Sequence, residues 1–122
     1  MSVRVVVVVK IEPGQEAAFE AAFAEVSRAV SGTLGHIRDE LLREQGRQGS
    51  YLLLGEWQSA AAFHAWHDDP EHSVTTAPMR RYWAGRTERR IFDVAVRLEE
   101  VAAVRPDDLS QRAIVGENDP LA

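Results

Sequence analysis

A run of β-branched residues near the start of the chain constrains the fold more than any other feature. Residues 3–11 read VRVVVVVKI and stop at Glu12-Pro13-Gly14. Because such a run is typical of a strand buried on both faces, it predicts the central strand of a sheet. The chain of 122 residues has the length of one domain. Other parts of the protein must therefore pack against both faces of this strand.

The next segments alternate between helix and strand patterns. From residue 13 to residue 30 the apolar side chains recur at helical spacing, and Gly32 lies just past the end. Residues 36–44 alternate with a period of two, residues 46–49 form a turn, and residues 51–58 make the next strand. We therefore expect one amphipathic helix followed by a pair of strands.

Two short helices and a last strand complete the pattern. Ser59 can cap a helix that ends near Pro70, and Pro70 can open a further helix that Pro78 breaks or kinks. Residues 87–98 alternate apolar and charged side chains, which predicts a final strand. The resulting order, β-α-β-β-α-β, is the ferredoxin-like split β-α-β architecture of the α+β class, with an antiparallel sheet.

This architecture leaves one face of the sheet without helices. Val6, Val8, Leu53 and Trp57 are expected on that open face, and such an apolar surface requires a cover. The simplest cover is the same face of a second subunit, so we expect a homodimer that forms a dimeric α/β barrel. The domain spans residues 1–98. Residues 99–122 show no sustained period and form a tail that either packs on the partner or is disordered.

Composition narrows the classes of partner and cofactor. A net charge of -5 and a pI near 5.3 argue against nucleic acid and membrane partners, which require a concentrated basic surface. The chain has no cysteine, no phosphate-binding glycine loop and no complete ligand set, so we expect no flavin, haem or metal cofactor. It shows neither a signal peptide nor an apolar run long enough to span a bilayer. The sequence therefore predicts a cytoplasmic protein.

The middle of the chain resembles a known family. Residues 51–66, YLLLGEWQSAAAFHAW, are followed by Asp69-Pro70-Glu71-His72. They are similar to the centre of the antibiotic biosynthesis monooxygenase family, where a strand ends in Trp, a helix follows at once and a short turn starts the next helix. The resemblance covers residues 3–98. It implies the fold described above and a family of cofactor-free oxygenases of polyketide anthrones, quinol monooxygenases and haem-degrading enzymes.

Several positions differ from the branches of that family. Trp57 matches the strand-end Trp of the anthrone oxygenases, but Leu53 stands where they have an Asn implicated in handling substrate and oxygen. Phe63 stands where they have a tyrosine. Trp66 resembles a residue of the haem-degrading branch, whose haem-ligating His is replaced here by Thr76. The resemblance therefore implies a pocket near Trp57 and argues against haem degradation.

Three charged or polar residues of the second predicted strand form the main catalytic candidate. If Ile37 and Leu41 pack beneath the helices, His36, Arg38 and Glu40 share the opposite, barrel-side face by strand parity. An acid, a base and a fixed cation there could orient a phenolate and move its proton. The alternative is a solvent-exposed or dimer-edge strand face that simply carries charges.

The remaining candidates are one histidine and a set of mostly aromatic residues. His72 is the alternative general base at the rim, because an unperturbed histidine titrates near pH ~6.5, or else it is a surface or capping residue. The aromatic side chains either contact a flat substrate or belong to the core or an interface. The expected substrate-binding residues are Tyr51, Leu53, Trp57, Phe63, Trp66 and Tyr82.

These features support one leading function and two alternatives. The leading hypothesis is a small cofactor-independent monooxygenase that acts on an aromatic polyketide or quinol-type phenolic substrate in secondary metabolism, with oxygen as co-substrate. A polyketide cyclase would need only positioning and proton transfer in the same cavity, and a non-catalytic dimeric binding protein would need only the apolar sheet face.

We expect the cavity between the open face and the helices that begin near Ser59 and Pro70, with Trp57 in its wall.

Overall fold

The computed structural model describes residues 1–98, and the tail predicted over residues 99–122 lies outside the described residues. The strands are β1 (Val3–Lys10), β2 (His36–Arg43), β3 (Ser50–Trp57) and β4 (Glu88–Asp93). The helices are α1 (Glu16–Val30), α2 (Ala60–His67) and α3 (Pro70–Arg80). The order along the chain is β-α-β-β-α-α-β, in which the two short helices occupy the place of the second helix in the predicted pattern.

The four strands form one antiparallel sheet in the order β2-β3-β1-β4. This order confirms the ferredoxin-like α+β fold, because β1 and β3 lie in the centre and the chain crosses over through helices. The valine-rich strand β1 is central, as its composition predicts, and pairs with β3 from Val3 opposite Trp57 to Lys10 opposite Ser50.

The helices cover the sheet face to which the odd-numbered residues of β1 point. Val3, Val5 and Val9 are buried there, against Phe19 and Val26 of α1. On the other face Val8 remains 40% exposed. In the single chain β1 is therefore buried on one face, and the expectation of two covered faces is met on the helix side only.

The two short helices begin at side-chain caps. The hydroxyl of Ser59 accepts a hydrogen bond from the Ala62 amide at 3.1 Å, which confirms the predicted start of α2. Asp69 caps α3 in the same way, accepting from the Glu71 amide at 2.9 Å. Of the break or kink predicted at Pro78, the break is wrong, because α3 continues to Arg80. Proline removes a single amide donor, and here it does so in the last turn of the helix.

The final strand is shorter than its alternating pattern predicts. β4 ends at Asp93, opposite Val3, and not at residue 98. Its partner β1 begins at Val3, so β4 has no strand to pair with beyond Asp93. One further hydrogen bond joins the Val94 amide to the Ser2 carbonyl at 2.9 Å. Strand length is thus set by the partner and not by the alternation in β4 itself.

Two expectations about sheet faces are wrong. Leu53 and Trp57 pair directly with Val7 and Val3, and residues directly opposite each other share a face, so both lie on the helix side and not on the open face. In β2 the register shifts between His36 and Arg38. This bulge breaks the parity that would put His36 on one face with Arg38 and Glu40.

Candidate active site

A cavity of about 480 Å³ lies between the helix-covered face of the sheet and the three helices. The predicted position on the open face is therefore wrong, for the same reason that Leu53 and Trp57 lie beneath the helices. Five of the predicted site residues line the cavity, and Trp83 lines it as well, so all three tryptophans of the chain are in its wall. The predicted residues that line it are Leu53, Trp57, Phe63, Trp66 and His72.

Aromatic rings form one side of the cavity. The indole of Trp57 lies edge-on to Phe63, with ring centroids 5.8 Å apart, and is tilted by 31° to Trp66 at 5.3 Å. Trp57 and Phe63 are buried, whereas Trp66 is partly exposed to the cavity and the solvent. The strand-end Trp and the short helix α2 that follows at once bring these rings together. Such a wall offers flat apolar surface to a flat apolar ligand.

A polar group at the β2 end of the cavity was missed by sequence reasoning. Asp39 lines the cavity, and its Oδ2 accepts a hydrogen bond from the Ser27 hydroxyl of α1 at 2.8 Å. Its Oδ1 lies 3.0 Å from Nε2 of His36. The two groups are within ion-pair distance, but Nε2 has no hydrogen-bond partner within residues 1–98.

The bulge in β2 explains why His36 lies beside Asp39. It moves His36 to the helix side, the face already occupied by Asp39 and Leu41, with Asp39 opposite Gly55 of β3. Ile37, which strand parity predicts beneath the helices, is instead 44% exposed. The face of Asp39 could be inferred from its spacing of two residues from Leu41, whereas alternation alone does not reveal the bulge that brings His36 to the same face.

Arg38 and Glu40 lie on the open face, away from the cavity. The Arg38 guanidinium bonds the Glu56 carboxylate at 3.0 and 3.1 Å, and Arg4 approaches the same carboxylate at 3.3 Å. The hydrogen bond from Arg38 to Glu56 raises the pKa of that guanidinium above its ordinary value. Glu40 is exposed and pairs opposite Leu54. The structure therefore separates these two residues from His36.

The opposite end of the cavity carries imidazole and guanidinium groups. Arg89 of β4 lies over the Phe63 ring at 5.4 Å and approaches Nε2 of His67 at 2.7 Å. Arg80 of α3 donates to the Thr76 hydroxyl at 2.9 Å and to the Ser73 carbonyl at 2.7 Å. Within residues 1–98 neither guanidinium has a carboxylate within ion-pair distance. This end of the cavity is thus positive in a chain of net negative charge.

His72 lies among these groups, at the predicted rim position. Its ring is edge-on to Trp66 at 4.4 Å and 4.5 Å from the ring of His67. Burial lowers the pKa of His72 below its ordinary value, and the nearby His67, Arg80 and Arg89 lower it further. The imidazole is therefore neutral at pH 7 and can accept a proton, although the surrounding cations oppose its protonated form.

Tyr51 lies outside this cavity, in a second one of about 450 Å³. Its hydroxyl donates to Glu20 at 2.6 Å, and the same carboxylate accepts two bonds from Arg43, at 2.7 and 2.8 Å. These bonds lower the pKa of Glu20 to about 2, and burial with the Glu20 bond raises the pKa of Tyr51 to about 12. Phe23 of α1 lines both cavities. Tyr82, the other tyrosine, packs against the core without lining either one.

We expect the Glu20 cluster to make the fold sensitive to acid. The folded-state pKa of Glu20 lies below its ordinary value of 4.5, so the stabilisation is complete above that value and is lost as the pH falls toward about 2. Urea unfolding at pH 7 and at pH 3 measures this loss as a fall in the free energy of unfolding. The fall should be larger for the unmodified protein than for Glu20→Gln. Equal falls in the two proteins would contradict a role for this carboxylate. The Arg43 side chain is 73% exposed, so solvent screening keeps the effect modest.

The fold agrees with the comparisons to known proteins. The chain belongs to the antibiotic biosynthesis monooxygenase family, whose profile matches residues 2–77. Protein SchA of Streptomyces halstedii is 31% identical over 119 residues, which cover 95% of this chain and 31% of that protein. The 42.8 kDa protein in the whiE locus of Streptomyces coelicolor is 34% identical over 77 residues, 63% of this chain and 19% of that protein. The chain thus spans less than a third of these relatives.

A similar solved structure is that of SnoaB, a cofactor-independent oxygenase from Streptomyces nogalater. It superposes with a TM-score of 0.70 at 25% identity, over 81% of this chain and 98% of that one. The resemblance inferred from residues 51–72 is therefore confirmed at the level of family and fold.

In the described part of the chain, no group of three or more His, Cys, Asp or Glu side chains could hold a metal ion. None of the helices within residues 1–98 is long and apolar enough to cross a membrane.

Proposed function

We propose that the chain catalyses the cofactor-independent oxygenation of a flat phenolic substrate of the anthrone or quinol type. The observation that supports this proposal is the cavity itself, which combines an aromatic wall with a carboxylate at one end and cations at the other. Membership of the family and the similarity to SnoaB, a cofactor-independent oxygenase, support the same reaction. An aromatic polyketide made in secondary metabolism is a substrate of this shape.

The reaction needs no redox group on the protein, because the substrate supplies all the electrons. A base removes a proton from the methylene carbon of an anthrone, and the charge delocalises onto the carbonyl oxygen across the ring. This electron-rich anion transfers one electron to O2, and the two radicals combine to form a peroxide at that carbon. Loss of water leaves a quinone carbonyl, so one oxygen atom enters the product and the other leaves as water. The protein supplies the pocket, the base and the electrostatics.

The arrangement of the cavity suits the two ends of such a substrate. Asp39 is on β2 and Arg89 on β4, which lie at opposite edges of the sheet, three strand spacings apart. Their backbones are separated by about 14 Å, which leaves room for a ring system between the side chains. A proton leaves toward one edge, and the negative charge that develops on the oxygen is stabilised by Arg89 and Arg80 at the other.

Incubation with anthrone under air and under argon tests this proposal. We expect quinone to form only under air, with one atom of ¹⁸O incorporated from ¹⁸O2 and one O2 consumed per quinone. The rate of quinone formation must exceed the rate measured for anthrone in buffer that contains heat-denatured protein. Binding of anthrone without faster oxygen consumption would contradict oxygenation and favour a non-catalytic binding protein.

A polyketide cyclase is the second candidate, and one residue favours it. Leu53 lines the cavity at the position where the anthrone oxygenases have an Asn implicated in handling oxygen. A cyclase needs proton transfer but no oxygen, so it would convert a linear polyketide equally well under argon. Ring closure that is unaffected by removing oxygen, together with no oxidation of anthrone, would select this alternative.

We also propose that the chain is a homodimer formed through the open face of the sheet. Val8, Leu42 and Phe92 are 40%, 42% and 50% exposed there, and apolar side chains grouped on one exposed face are typical of an interaction surface. Light scattering at micromolar concentration should give twice the chain mass of 13.6 kDa. A stable species of the single-chain mass would contradict this assembly.

A further inference from the structure

We propose that Asp39 takes the proton from the substrate, and that Ser27 and His36 are positioning residues that hold its carboxylate at the cavity wall. The assignment rests on the proposed function, because it names the base of that same site. Three observations carry it: how the carboxylate is held, the unpaired nitrogen of His36, and the space left by Gly55.

The two oxygens of the carboxylate have different roles. Oδ2 accepts the Ser27 hydroxyl at 2.8 Å, which fixes the orientation of the group. Oδ1 has no hydrogen-bond donor among residues 1–98, so its lone pairs remain available. A general base needs this combination of a fixed geometry and one free oxygen.

His36 lies against the second oxygen of Asp39 and restricts its position. Its side chain is only 5% exposed, and its Nε2 has no hydrogen bond although it lies 3.0 Å from Oδ1. An unpaired polar nitrogen buried in this way is unfavourable. The buried ring limits where Oδ1 can lie, so His36 acts on Asp39 through position.

Gly55 keeps the carboxylate open to the cavity. A Cβ at this position would lie 3.3 Å from Oδ1 of Asp39 and 3.4 Å from Nε1 of Trp57. The first distance is shorter than most Cβ contacts and the second is at the limit of ordinary contact, so a side chain here would require Asp39 to shift by a few tenths of an ångström. The glycine therefore lets a carboxylate and an indole N–H lie side by side at the same point of the wall.

His72 is less suited to this role because of its neighbours. Arg80 and Arg89 disfavour a positive charge on its ring, and a base becomes more positive when it takes a proton. The same two cations stabilise the anion that the substrate becomes. The charges of the cavity thus direct the proton toward Asp39 and the oxyanion toward the arginines.

Hydrogen exchange of anthrone in D2O under argon tests the proposal without any need for oxygen. The parent should exchange the methylene hydrogens faster than buffer does, as measured by mass spectrometry. Asp39→Asn should lower the enzymatic rate about a hundredfold or more, within the range found for general bases. His72→Gln should lower the rate at least tenfold less than Asp39→Asn does. Asp93→Asn, which removes the same charge from an exposed strand residue outside the cavity, should leave the rate unchanged.

Ligand binding separates a catalytic role from a structural one. Since all three tryptophans line the cavity, quenching of their fluorescence by anthraquinone gives a Kd for each variant. Asp39→Asn should bind anthraquinone with a Kd close to that of the parent. Ser27→Ala and His36→Gln should lower kcat for exchange at little-changed Kd, and Ser27→Thr should restore it by returning the hydroxyl.

Two results would overturn the assignment. One is full exchange activity in Asp39→Asn, and the other is a loss of anthraquinone binding that parallels the loss of exchange. If Asp39→Asn does not fold, Asp39→Glu provides the test, because it keeps the charge but moves the carboxylate, and it must then lower the exchange rate. A parent that exchanges hydrogen without consuming O2 would refute the oxygenation but leave Asp39 as the base.

Discussion

Replacing Trp57 by alanine should lower the free energy of unfolding by about 3–5 kcal/mol, the range found for large aromatic side chains removed from cores. Trp57 is only 2% exposed, and its indole contacts the rings of His36, Phe63 and Trp66. Its removal therefore opens a space that joins the existing cavity and releases three neighbours at once. Urea denaturation followed by circular dichroism measures the change.

Trp57→Phe is the matched control, because it keeps an aromatic ring and removes the indole N–H. We expect this variant to fold and to lose about 1–2 kcal/mol, so that its turnover can be compared with that of the parent. A loss below about 1 kcal/mol in Trp57→Ala would contradict a core role. Trp57 would then be a loosely packed pocket wall, which is the other interpretation that the sequence allows.

Arg89→Gln should lower kcat for the proposed oxygenation by about tenfold to a hundredfold. One hydrogen-bond donor to a developing oxyanion typically contributes about 10²–10³ in rate, and exposure to solvent reduces that figure here. Arg89 is held over Phe63 and beside His67, and no carboxylate among residues 1–98 pairs with it. Its charge is therefore available to a ligand. Steady-state kinetics with anthrone at low and moderate salt give the loss in kcat and show how far salt screens the effect of the charge.

Arg86→Gln removes the same charge from an exposed arginine that does not line the cavity. It should leave kcat close to that of the parent. Equal losses in the two variants would show that the general positive field matters and that the position of Arg89 does not. A rise in KM at constant kcat for Arg89→Gln would mean that the guanidinium binds the ground state and the transition state equally.

The sequence predicts the elements of this fold well, because each has a strong local signal. The valine run identifies the central strand, the apolar stripe of residues 19–30 identifies α1, and Ser59 identifies the start of α2. Each of these signals acts over a few residues, either through side-chain periodicity or through a single capping bond. The family resemblance carried by residues 51–72 rests on the same region.

The faces of the strands could not be predicted in the same way. Alternation says that neighbouring residues point in opposite directions, but it does not say which set points to the helices. That choice depends on the pairing of Leu53 with Val7 and Trp57 with Val3, which is a long-range property. The bulge at the start of β2 is also long-range, since it shows only against β3. Alternation therefore groups His36 with Arg38 and Glu40, whereas the bulge puts it beside Asp39.

Phe23 contributes to the walls of two cavities of similar size. It lines both the cavity near Asp39 and the one near Tyr51, about 480 and 450 Å³ in volume. Because this one side chain belongs to both walls, we expect a smaller residue at this position to enlarge both spaces, toward Asp39 on one side and the Glu20 cluster on the other. Size selection in this fold can thus change through a single helix residue that takes no part in the chemistry.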